Sequence, residues 1–144
     1  MNKHRIRWIA KYLVAVCLIA LSASVFSAEV KDINVNELKN LISEGVTVID
    51  VRTPGEWNQT GIVEGSIPIM FFDEKRKAHP IEWMNQASDY IQPGDDVAII
   101  CRTGSRSKVI GKYLIRQHGF ESVYNVKGGI VSWVKNGNKT VKIK

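Results

Sequence analysis

The segment Val97–Leu114, VAIICRTGSRSKVIGKYL, decides how this chain folds. Its first five residues are apolar, too few for a helix, and follow the turn signal Pro93-Gly94-Asp95, so they predict a strand buried on both faces. From about Ser105 the residues Val109, Ile110, Tyr113 and Leu114 recur at helical spacing until Gly119 ends the helix. A buried strand running into a helix is the unit of an α/β sheet. It leaves Cys101 at a strand's carboxyl end, facing a helix's amino end.

The same alternation repeats on either side. Upstream, Val30 to Ile33 predicts a strand, and Asn34 with Glu37 three residues later predicts a capped helix start, with Gly45 as terminator. The run VTVID (Val46 to Asp50) is a second buried strand. Thr53, Pro54 and Glu56 then supply N-cap, first helical position and capping-box partner. A third strand is expected over Ser66 to Met70. The stretch Phe71 to Asp96 holds the charged turn DEKRK and a helix around Ile81 to Tyr90. Downstream, SVYNV (Ser122 to Val126) predicts a strand, and GGIVSWV opens a short helix with Ile130 and Trp133 facing inward. The chain therefore reads as about five strands and as many helices.

The chemistry gathers in CRTGSRS, Cys101 to Ser107. A short strand-to-helix connection turns backbone amides toward the loop's centre, and the helix terminus adds partial positive charge. Arg102 and Arg106 bring two full charges near the sulfur, so the Cys101 thiol is expected to titrate below its ordinary value of about 8.5. Gly104 suits a position that needs a positive φ and an unobstructed pocket, and Ser105 or Ser107 can cap the helix. Together with Thr103, these residues form the expected substrate cradle around a nucleophilic Cys101. Asp50 and Arg52, two residues apart at a strand end, read as a structural brace through an ion pair. His79 and His118 have no partner within ligand spacing, so no metal is expected, and Trp133 and Tyr113 read as core.

The loop resembles the active loop of the rhodanese family, a Cys followed by four residues and an Arg, matched by Cys101 and Arg106. VIDVRTPGEW (Val48 to Trp57) is similar to that family's Asp-x-Arg segment, and VYNVKGGIVSW (Val123 to Trp133) to its closing Gly-Gly and Trp signature. The segment GIVEGSIPI departs from the pattern, with Ile62 and Pro68 where the family usually has His and Asn. The resemblance implies a three-layer fold, with a mostly parallel sheet of about five strands flanked by helices. It also implies a sulfurtransferase that needs no cofactor. Cys101 would take sulfur from a small donor such as thiosulfate, hold it as a persulfide, and pass it to cyanide or a thiol. Two other enzyme readings, arsenate reductase and phosphatase, need five residues between Cys and Arg, and the fifth-spaced position here is Ser107. A non-catalytic module that senses persulfide or oxidation on Cys101, or binds a partner through it, is the alternative of a different class.

The amino terminus has its own logic. Lys3, Arg5, Arg7 and Lys11 precede the apolar run Tyr12 to Leu21 and the small-residue stretch SASVFSA, the three regions of a secretory signal. Cleavage is expected near Ser27/Ala28, leaving 28–144 as a single domain exported to the bacterial periplasm, with Cys101 as its one cysteine. The alternative is an inner-membrane anchor over residues 12–28, the one arrangement that would bring this protein to a membrane. Cys17 follows Val16 inside the apolar run, which argues against lipidation. Removing the four basic residues from the formal charge of +6 leaves about +2 without a basic run, which excludes a nucleic-acid partner. Oligomeric state has no signature in the sequence.

Overall fold

The computed structural model describes residues 28–143; the expected signal segment 1–27, with Cys17, lies outside the described residues. Five strands form one sheet: β1 (Lys31–Ile33), β2 (Thr47–Asp50), β3 (Ile67–Pro68), β4 (Asp96–Ile100) and β5 (Ser122–Val126). The order across the sheet is β1-β5-β4-β2-β3, and every pairing is parallel. Five helices connect and cover them: α1 (Val35–Ser43), α2 (Pro54–Thr60), α3 (Pro80–Ala87), α4 (Ser105–His118) and α5 (Gly129–Lys135).

The apolar alternation along the central strands explains the layering. Val97 and Ile99 of β4 join Ile49, Trp83 and Ala87 of α3, and Ile110 and Leu114 of α4 in one core. Ala98 and Ile100 face the other way, where they join Val48, Leu38 of α1, and Ile130 and Trp133 of α5. Successive strand residues point to opposite faces, so an unbroken apolar run is what a sheet covered on both sides demands.

The helix starts carry the expected caps. Asn34 accepts from the Asn36 and Glu37 amides while Glu37 accepts from the Asn34 amide. Thr53 and Glu56 do the same at α2, with Pro54 at the first helical position.

Two expectations need correction. The third strand spans only Ile67–Pro68 rather than Ser66 to Met70, because it is the sheet edge and Pro68 brings no amide hydrogen to a ladder. Val109, expected on the apolar stripe of α4, is 56 % exposed, while Ile110 and Leu114 one and five positions on are fully buried. Among the described residues no helix is long and apolar enough to cross a membrane.

Candidate active site

Cys101 follows β4 immediately and is completely buried. The chain leaves the strand, turns through Gly104 at φ 95°, and enters α4 at Ser105. That turn aims the Gly104 amide at the sulfur, with N to Sγ 3.1 Å, and brings the Ser107 hydroxyl to 3.2 Å from it. Burial alone pushes a thiol's pKa up. Here the Ser107 hydroxyl and the amides of Ser107, Gly104 and Thr103 outweigh it and hold Cys101 below the ordinary thiol range. The lowered value expected from the sequence is therefore present, but hydrogen bonds lead it rather than arginine charge. Neither Ser105 nor Ser107 caps α4: the N-cap is Gly104, and the Ser107 hydroxyl is committed to Cys101 Sγ and to Asn125 Oδ1 at 2.6 Å.

The carbonyls of the loop are held by the opposite strand-to-helix turn. The Ile130 amide donates to the Cys101 oxygen at 2.9 Å and the Val131 amide to the Arg102 oxygen at 3.2 Å. Gly129 makes this approach possible, because a Cβ there would run into the Cys101 carbonyl oxygen, and its φ is 55°. The Gly-Gly pair is thus the seat on which the cysteine loop rests.

The two arginines differ. Arg106 donates from Nη1 and Nη2 to the two Glu56 oxygens at 2.9 and 2.6 Å, and Glu56 raises its pKa further. Burial pushes the Glu56 carboxyl up, but Arg106 and the Thr53 amide prevail and hold it below the usual carboxylate range. Arg102 is exposed and has no carboxylate partner among the described residues.

Beside the loop lies an open cavity of about 500 Å³. The loop contributes Arg102, Thr103, Ser105 and Arg106 to it, α2 contributes Glu56, and the charged turn contributes Phe72, Asp73 and Arg76. The Asp73 carboxylate is occupied by the amides of Lys75 and Lys77 and by His79. With Glu56 also satisfied, Arg76 and Arg102 are the cavity's charges without an ion-pair partner among the described residues.

Asp50 and Arg52 form the expected brace, fully buried. Arg52 Nε and Nη2 bind the Asp50 carboxylate, Nη1 donates to Thr60 Oγ1 at 2.6 Å, and Nη2 to the Gly61 oxygen at 2.8 Å. Trp57 Nε1 donates to Asp50 Oδ1 as well. The pair therefore fixes the middle and the carboxyl end of α2, which carries Glu56, and its side chains make no bond to the loop. Among the described residues no group of His, Cys, Asp or Glu is placed to hold a metal ion.

Four participants escaped sequence reading: Glu56 as the partner of Arg106, Asn125 and Asp32 behind Ser107, and Arg76 on the cavity wall. Glu56 was legible only as a capping residue. Its second bond crosses 50 residues of sequence, and no local pattern encodes that.

The Rhodanese-like domain model matches residues 34–136. The chain belongs to that family. Among its rhodanese relatives is "Thiosulfate sulfurtransferase 18" of Arabidopsis thaliana, 31 % identical over 119 residues, covering 80 % of this chain and 86 % of that one. A protein named "Sulfurtransferase" from Allochromatium vinosum is 34 % identical over 95 residues, covering 66 % and 78 %. The crystal structure of a rhodanese-like domain protein from Staphylococcus aureus superimposes with a TM-score of 0.59 at 26 % identity, covering 79 % of this chain and 98 % of that one. These relatives support a sulfurtransferase activity in the general sense.

Proposed function

We propose that this rhodanese moves sulfane sulfur from a thiosulfate-like donor to cyanide or a thiol through a persulfide on Cys101. The Cys101 thiolate attacks the donor's outer sulfur. A new S–S bond forms at Sγ, the donor's own S–S bond breaks, and its electron pair leaves with sulfite. The acceptor then attacks the terminal sulfur and departs as thiocyanate or a new persulfide, and the electron pair of the broken bond restores the thiolate. The observation that carries this reading is the sulfur set against the Gly104 amide and Ser107 hydroxyl at the entrance of α4, where negative charge is stabilised without a metal.

Arg102 and Arg76 are free to receive the donor's anionic end, while Arg106, pinned by Glu56, keeps a positive wall beside the loop. Because Cys101 has no exposed surface, transfer requires the loop to yield locally as the donor seats. Four residues between Cys101 and Arg106 make a narrow cradle, which suits a single sulfur better than a tetrahedral phosphate or arsenate. Export, with removal of residues up to about Ser27, completes the proposal.

The test is mass spectrometry of the reduced protein before and after thiosulfate, with Cys101→Ser as control, followed by cyanide. A gain of one sulfur mass, about 32 Da, that needs Cys101 and is discharged by cyanide is the expected result. No gain would remove the thiosulfate reading and favour a module that senses sulfur or oxidation on the same thiol.

A further inference from the structure

We infer that Asp32 and Asn125 restrain the Cys101 thiolate through Ser107, so that the resting nucleophile is held back and the sulfur-loaded form is favoured. The second clause rests on the persulfide reading above; the first does not.

Asp32 on β1 and Asn125 on β5 are direct partners across the parallel pair. The Asp32 carboxyl is held below the usual carboxylate range by Asn125 and Lys108, so it is charged and can only accept. The carboxamide group facing it at 2.8 Å must therefore be the Asn125 nitrogen, which leaves Oδ1 facing Ser107 at 2.6 Å. An amide oxygen only accepts, so Ser107 must donate to it. The Ser107 hydroxyl has one proton and two claimants, Asn125 Oδ1 and Cys101 Sγ.

While Cys101 is a thiol the conflict is absent, since its S–H donates to Ser107 and Ser107 donates to Asn125. On ionisation Ser107 must turn its proton to the sulfur, and Asn125 Oδ1, on a residue only 3 % exposed, loses its donor. Asn125 cannot turn over to help, because Asp32 holds its nitrogen and Lys108 holds Asp32 at 2.7 Å. In the persulfide, negative charge moves to the terminal sulfur, the inner sulfur becomes a neutral disulfide-type atom, and Ser107 is free to return to Asn125. The restraint therefore acts on the thiolate and not on the loaded sulfur.

The other charges around Cys101 are not partners of the Ser107 proton. Arg106 is held mainly by Glu56 from α2 and also faces the Cys101 sulfur, where it favours the thiolate whichever way the Ser107 proton points; Asp50 is paired with Arg52 at the end of β2, and Arg102 is in solvent.

The experiment measures the rate of Cys101 alkylation by iodoacetamide against pH in the purified protein, which needs no sulfur donor. Asn125→Leu frees the Ser107 proton for the sulfur without changing charge. It should speed alkylation about three- to tenfold below the thiol's midpoint. Ser107→Ala should slow it, and the combined variant should match Ser107→Ala alone. Asp32→Asn, which lets the Asn125 amide turn over, should act like Asn125→Leu and also vanish in the Ser107→Ala background; it keeps the test open should Leu at 125 disturb the fold. A gain that persists without Ser107, or no gain at all, overturns the inference. The equilibrium extent of loading at fixed thiosulfate and sulfite should fall in Asn125→Leu, and an unchanged extent overturns the second clause. Failure of wild-type protein to load would instead count against the proposed function and leave the alkylation result standing.

Discussion

Glu56 makes three bonds with one carboxylate: it closes the capping box at the Thr53 amide and grips both Arg106 nitrogens. Its folded pKa is depressed, so the stability it contributes is whole above the ordinary carboxylate value and fades as pH falls through the lower folded one. Glu56→Gln should therefore cost about 1 kcal/mol at neutral pH, and the gap to wild type should close as pH falls below the ordinary carboxylate value of about 4.3. Urea midpoints across that range check it; a gap that stays constant would mean the carboxylate's charge is irrelevant. Cys101 titrates in the same sense, ionising below the ordinary thiol value of about 8.5, so sulfur uptake should reach half its maximal rate below that pH, as stopped-flow loading would show. At this scale the sequence was legible where a residue's place depends on its near neighbours, as for the position of Cys101 after β4, the turn at Gly104 and the Thr53–Glu56 box. It was silent where two roles share one side chain, as in Ser107.

Between elements, the decisive contact is the seating of the cysteine loop on the start of α5. Gly129→Ala places a methyl against the Cys101 carbonyl at a positive φ, and neither side of that contact is a side chain able to swing away. The expected cost is about 3 kcal/mol or more, with sulfur loading lost in parallel, since the same shift displaces the Gly104 amide from the sulfur. Thermal melting together with the loading assay tests this, and a variant that melts normally and loads normally would show the seat to be dispensable. The starts of α1 and α2 and the ends of α1 and α4 followed from the caps Asn34 and Thr53 and the terminators Gly45 and Gly119, while the start of α4 has no side-chain cap. The edge strand β3 was overestimated because its length is set by a single partner, β2, and by Pro68 rather than by its own apolar run.

For the molecule as a whole, the covered parallel sheet was foreshadowed by the unbroken apolar runs VTVID and VAIIC, but strand order was not, since nothing in a strand's composition names its neighbour. The Asp50–Arg52 pair links β2 to α2 and is the one fully buried salt bridge among the described residues. Arg52→Met leaves Asp50 charged and without its partner inside the protein, and should destabilise the fold by about 3–5 kcal/mol, lowering Tm without touching the loop directly. If the Tm of this variant matched wild type, the brace would be ornamental.

The position of β1 has a temporal consequence. It pairs with β5 alone, across about ninety residues, and β5 is the last strand to leave the ribosome. Until that strand exists, the first has nowhere to dock and the Asp32–Asn125 contact cannot form. The edge of the sheet therefore closes last, through its most distant pairing, whose loop-closure cost must be met before any contact across it forms.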